Sequence, residues 1–115
     1  MIDTVETIKA LGIKAVIFDL DGTLIDSLED LAHSVNHGLE RLGLPRHSVE
    51  DYRLKVGNGV RMLISRSLPP ARQDQVDALL ELHRNYYHEH FADKSRPYPG
   101  MVEALKLLQA DGLKL

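Results

Sequence analysis

A chain of 115 residues, 43% apolar and 27% charged, carries enough hydrophobic material for one small core. It has no cysteine, which excludes disulfides and thiolate metal sites, and its formal charge of −3 comes without a basic block, which argues against nucleic acid as a partner. No apolar stretch approaches the roughly 20 residues of a spanning helix and no basic-then-apolar leader is visible, so a soluble, cytoplasmic protein with no membrane partner is expected.

In chain order, Asp3-Thr4-Val5-Glu6 has the spacing of a helix start, with Val5, Ile8 and Leu11 on one face and Gly12 as a stop. Lys14 to Asp19 reads as a strand. Its run Ala15-Val16-Ile17-Phe18 is apolar without a break, which suits burial on both faces of a parallel sheet. Asp19 and Asp21 follow, one residue apart, and Gly22-Thr23 turns the chain beside them. Two carboxylates at the end of such a strand stand where open α/β sheets form their ligand crevice. They are costly to desolvate there unless paired or bound to a cation.

Ser27 to Leu42 reads as an amphipathic helix, with Leu28, Leu31, Ala32, Val35, Leu39 and Leu42 at helical spacing and Gly43 as its end. Ser27 and Asp30 have the spacing of a capping box, which favours a role in helix entry for Asp26 and Ser27 over the alternative of direct contact with substrate. Ser48 with Asp51 starts a short helix running to about Lys55, and Gly57-Asn58-Gly59 interrupts it. Val60, Leu63, Ile64 and Leu68 mark a third helix that stops at Pro69-Pro70. Val76, Leu79, Leu80, His83 and Tyr87 form the stripe of a fourth. Four helices without an intervening strand predict a helical bundle inserted between two pieces of an α/β core. Ala92 to Gly100 leads back, Met101 to Gln109 is a helix with Met101, Ala104, Leu105 and Leu108 inward, and Leu113-Lys114-Leu115 starts a second strand.

The six histidines do not assemble a metal site on paper. His33 and His37 are four apart, but Ser34 stands where a zinc-protease motif has Glu, and His88 and His90 point different ways on a helix. The loop Gly57-Asn58-Gly59 admits two readings. Its backbone amides could approach an anion with Arg61 nearby, or it is a helix-breaking turn with Arg61 in solvent.

The string Asp19-Leu20-Asp21-Gly22-Thr23-Leu24-Ile25-Asp26-Ser27 resembles, at all nine positions, the signature of the haloacid dehalogenase-like superfamily of phosphohydrolases. Val56-Gly57-Asn58-Gly59-Val60 and Tyr98-Pro99-Gly100 resemble its helical-cap branch, and within that the phosphoglycolate phosphatases. The resemblance implies an α/β fold with a Rossmann-like parallel-sheet core and an inserted helical cap. Only the first strand and the return helix of that core would lie in these residues, so the chain itself would be mostly α. The implied division is a partial core over 1–26 and 97–115, with a cap over 27–96.

The implied chemistry is Mg²⁺-dependent hydrolysis of a small phosphorylated metabolite. Asp19 would be the nucleophile and Asp21 the general acid and base. Mg²⁺ would be held by the Asp19 side chain and the Asp21 backbone carbonyl, and Thr23, Asn58, Gly59 and Arg61 would contact substrate. The family's further motifs (a Ser or Thr, a Lys and an acidic pair) match nothing up to Leu115. A partial sequence, not competent alone, is therefore expected. A phosphosugar mutase of the same superfamily is an alternative, and a non-catalytic helical binding module is another.

Overall fold

The computed structural model describes residues 4–115. In order, the elements are α1 (Thr4–Ala10), β1 (Ile25–Asp26), α2 (Leu28–Arg41), α3 (Val49–Arg53), α4 (Val60–Ser67), a 3₁₀ turn (Pro70–Gln75), α5 (Val76–His90), β2 (Arg96–Pro97) and α6 (Met101–Ala110). They fall into two compact units. One combines the segment ending at Asp26 with Pro97–Leu115, and the other is Ser27–Arg96.

The Ser27–Arg96 unit is a small helical bundle with one apolar centre. Ala32, Val35 and Leu39 come from α2, Tyr52 from α3, Leu63 and Ile64 from α4, and Leu79 and Leu80 from α5, with Leu68 beside them. The three- and four-residue spacings put each set on one helix face, and each fully buried Val, Leu or Ile side chain contributes roughly 1.5–3 kcal/mol. Gly38 lets α2 and α5 come close, since a Cβ there would lie 2.6 Å from Leu79 Cδ1 and 3.3 Å from Leu82 Cβ.

A polar network fixes the connection from α2 to α3. Asn36 Nδ2 donates to the His47 carbonyl at 2.8 Å, and the His47 amide donates back to Asn36 Oδ1 at 3.0 Å. The Tyr52 hydroxyl donates to the same Oδ1 at 2.6 Å. His47 Nε2 lies 2.8 Å from the Ser67 carbonyl, so that nitrogen carries the proton. Burial pushes the fully enclosed Tyr52 phenol above its ordinary value. At α3 the capping box forms in both directions between Ser48 and Asp51.

His83 is the one group in this bundle held against its chemistry. It is 3% exposed and stacks on Tyr87 at 5.4 Å, and its Nδ1 has no hydrogen-bond partner. Burial, then the positive charge of Arg84, lowers its pKa from 6.5 to about 4. A base whose folded-state pKa is depressed favours the fold above its unfolded pKa. That stability is lost as pH falls from 6.5 toward 4, because the unfolded chain takes up the proton first. The expected loss across that window is up to roughly 3 kcal/mol. Urea midpoints of the intact protein should drop between pH 7 and pH 4.5, and His83→Phe should flatten that drop. An equal drop in both proteins would remove His83 as its cause.

The other unit departs from expectation. Lys14 to Asp19 is not a strand, and a parallel sheet is not formed among the described residues. The segment makes one isolated parallel bridge, Ala15 with Lys114. The Val16 amide donates to the Lys114 carbonyl at 2.8 Å, and the Lys114 amide to the Lys14 carbonyl at 3.0 Å. Ile17 is 98% exposed. An apolar run acquires a strand's ladder and its burial only from neighbours on both sides, and among the described residues it has Lys114 alone. Leu113-Lys114-Leu115 is limited by the same bridge, although Leu113 is buried.

The sheet that does form is two residues wide on each side, β1 with β2, where the chain leaves the first unit and where it returns. The helix start proposed at Asp3 lies outside the described residues. Leu11 is exposed rather than inward, and so is Ala104 on α6, whereas Met101, Leu105 and Leu108 are half-buried.

Candidate active site

The segment Asp19–Ile25 folds as a tight loop around one carbonyl. The Leu20 oxygen accepts from the amides of Thr23 at 3.4 Å, Leu24 at 3.0 Å and Ile25 at 3.1 Å, while the Gly22 amide donates to the Ile25 carbonyl at 2.9 Å. Gly22 stands at φ +77°, a conformation that a Cβ would strain. The Tyr98 amide donates to the Leu24 carbonyl at 3.1 Å, tying this loop to the returning chain. Asp19, Asp21 and Thr23 are therefore carried on one backbone-bonded turn, all three exposed.

The donors in this loop are carboxylate and carbonyl oxygens, with no imidazole or thiolate. That set fits a hard cation of the Mg²⁺ type, which binds through one or two carboxylates and keeps several waters. Among the described residues no group of three or more His, Cys, Asp or Glu side chains stands close enough to hold a metal by itself.

Asn58, Gly59 and Arg61 belong to the Ser27–Arg96 unit, in the connection from α3 into α4. Gly57, Asn58 and Gly59 have φ of +110°, +63° and +89°, three successive residues in the region that L side chains avoid. The Asn58 side chain is engaged within the loop, where its Oδ1 accepts from Arg66 Nη2 at 2.9 Å. Arg61 Nη2 donates to Asp77 Oδ1 at 3.0 Å in an exposed pair. Beside that pair lies an open groove of about 600 Å³, lined by Arg61, Asp77, Leu80, Glu81, Arg84 and Asn85. So one trio of expected site residues sits on a single loop, and the other lies in a different unit with two of its side chains already hydrogen-bonded.

Two side chains take roles that the sequence reading does not assign to them. Arg66 is one, and its signal was available: helical side chains lean toward the N-terminus, so an arginine in the second turn of α4 can reach back over the preceding loop. Asp30 is the other. Expected as the partner of Ser27 in a capping box, it instead accepts from the Lys94 amide at 2.9 and 3.0 Å, the Ser95 amide at 2.7 Å and the Ser95 hydroxyl at 2.7 Å. Ser27 at the N-cap makes no side-chain cap hydrogen bond. Three donors from a distant segment outcompete one local amide for the carboxylate, and sequence spacing does not reveal them. Burial at 2% exposure opposes the charge of Asp30, but the Ser95 hydroxyl, the two amides and His33 more than offset it, so its pKa lies below 3.8.

Comparison with known proteins adds the relationship. Residues 16–115 match the family described as haloacid dehalogenase-like hydrolase. The chain is 43% identical over 109 residues to a phosphoglycolate phosphatase of Chromobacterium violaceum, covering 90% of this chain and 49% of that protein. It is 38% identical over 113 residues to a phosphoglycolate phosphatase of Caulobacter vibrioides, covering 95% and 48%. A crystal structure from Haemophilus somnus 129PT, described as a predicted phosphoglycolate phosphatase, superposes with a TM-score of 0.78 at 34% identity, covering 88% of this chain and 48% of that one. The chain spans about half the length of the relatives it matches. No helix among the described residues is long and apolar enough to cross a membrane.

Proposed function

Because the chain belongs to the haloacid dehalogenase-like hydrolases, we propose that it carries the nucleophile loop and helical cap of a Mg²⁺-dependent phosphatase for a small phosphate monoester, phosphoglycolate being the substrate for which similar proteins are named. The observation that carries this reading is the Asp19–Ile25 loop, in which two exposed carboxylates one residue apart ride on a turn closed by hydrogen bonds to the Leu20 carbonyl. On this reading residues 27–96 are the cap, and residues 1–26 with 97–115 belong to the core.

Phosphate monoesters hydrolyse extremely slowly unaided, so a catalyst must position a nucleophile and offset phosphoryl charge. A carboxylate oxygen of Asp19 attacks phosphorus. The bond to the ester oxygen breaks, and Asp21 gives its proton to the departing alkoxide. A water then attacks the aspartyl-phosphate while Asp21 takes its proton back, so that orthophosphate leaves and both carboxyl groups return to their starting states. Mg²⁺, held by the Asp19 carboxylate and the Asp21 carbonyl, would neutralise charge between the nucleophile and the phosphoryl oxygens. Thr23, exposed on the same turn, is assigned to contact with the transferring group. Asn58, Gly59 and Arg61 are assigned to substrate selection.

Acid-quenched intact enzyme incubated with 2-phosphoglycolate and Mg²⁺ should carry one phosphoryl group on the peptide containing Asp19. Asp21→Asn should increase the trapped fraction by slowing hydrolysis of the acyl-phosphate. Label on any other side chain would overturn the assignment, as would phosphate release with no labelled intermediate in either protein.

A further inference from the structure

We infer that Arg66 is a specificity-positioning residue, one guanidinium that holds the Lys55–Asn58 segment in the shape the cap presents to substrate. This inference rests on the phosphatase reading above. The segment has little of its own to hold it. After the Lys55 and Val56 amides donate to the Tyr52 carbonyl at 3.0 Å each, the chain passes through three consecutive positive-φ residues. Asn58 is the only non-glycine residue with positive φ among the described residues. Such a stretch gives up much backbone freedom when ordered, and a helix start with Gly59 at its N-cap and no side-chain cap does not supply the lost order.

Arg66 supplies it from α4. Nη1 donates to the Lys55 carbonyl at 3.1 Å and to the Gly57 carbonyl at 3.0 Å, and Nη2 donates to Asn58 Oδ1 at 2.9 Å. A planar fork thus joins both limbs of the turn and also orients the Asn58 side chain. Its amide group, with Oδ1 taken up by Arg66, is left with its Nδ2 donors to offer. An ammonium on a flexible stem cannot reproduce three bonds in one plane, so lysine is a poor substitute here. Arg66 acts on substrate through the loop and is not placed in contact with the reacting atoms.

The test uses the intact enzyme, 2-phosphoglycolate, and p-nitrophenyl phosphate as a substrate that asks little of the cap. Arg66→Ala and Arg66→Lys should each raise KM for 2-phosphoglycolate about tenfold, an expected scale for a misplaced binding loop. Its kcat should stay within about threefold, and both constants for p-nitrophenyl phosphate should be unchanged. Added guanidinium, but not methylammonium, should restore KM in Arg66→Ala. Amide hydrogen exchange at Lys55 and Val56, whose amides donate to the Tyr52 carbonyl where the loop begins, should quicken in both variants, a readout that needs no turnover. The proposal is overturned if exchange in the loop is unchanged, if both substrates lose kcat together, or if Arg66→Lys matches the wild type. Failure of the phosphatase reading looks different: wild-type enzyme would release no phosphate from either ester while Arg66→Ala still loosened the loop. The specificity role would fall with it.

Discussion

On the proposed phosphatase reading, Asp19→Asn is expected to lower phosphate release by the intact protein on the order of 10⁴-fold, with no measurable change in the unfolding midpoint. The asymmetry follows from where Asp19 sits. Its side chain is exposed on the loop, so a neutral amide of the same shape disturbs no packing and leaves no buried group unpaired. The loop is closed by backbone groups of Leu20, Gly22, Thr23, Leu24 and Ile25, which the substitution does not touch. What is lost is the anionic oxygen that would form the new bond to phosphorus, and an amide oxygen is a far weaker nucleophile. It also takes away one negative ligand from the proposed cation. Phosphate release within tenfold of wild type would end the nucleophile assignment, and a large fall in stability would show that Asp19 has a structural role.

Asp30→Ala is expected to act in the opposite sense, on the fold and not on a chemical step. The carboxylate is 2% exposed and is bonded by two backbone amides and a hydroxyl from Lys94 and Ser95. Removing it strands three donors next to the point where the chain returns at Arg96–Pro97. Each stranded donor costs about 1–3 kcal/mol if water does not replace the carboxylate, and a loss of roughly 3 kcal/mol for the set allows for partial rehydration. Urea unfolding of the intact protein should show that loss, with faster amide exchange at Lys94 and Ser95. An unchanged midpoint would mean that water substitutes fully. The sign with pH is also determined. A carboxylate with a depressed folded-state pKa stabilises the fold above its unfolded value of 3.8, and that stability is lost as pH falls through the lower folded value. The window lies below that of His83, so the two contributions separate on one pH titration.

The helices were legible because their information is local. Leu28, Leu31, Ala32, Val35 and Leu39 repeat at helical spacing, and Ser48 with Asp51 states a start that the backbone takes up as written. The string from Asp19 to Ser27 was legible for a different reason, since it is a chemical signature whose residues are adjacent in the chain. What stayed hidden depends on partners far away in sequence. Ser27 and Asp30 have the spacing of a cap, yet nothing near them tells that Lys94 and Ser95 return to claim the carboxylate. Arg61 reads as a free cation until Asp77, on another helix, is placed beside it. The run from Ala15 to Phe18 has the composition of a buried strand, but composition cannot provide the neighbours that a ladder requires.

The division is physical. Helix periodicity, capping at Ser48, the turn at Gly22 and membership in a hydrolase family were determined by residues within a few positions of one another, because helical hydrogen bonds and tight turns close over that distance. The bond from Asp30 to the Lys94–Ser95 segment and the orphaned His83 nitrogen were decided only by tertiary structure. Each depends on whether a group distant in sequence arrives within hydrogen-bond or van der Waals reach. Local patterns constrain that outcome without fixing it.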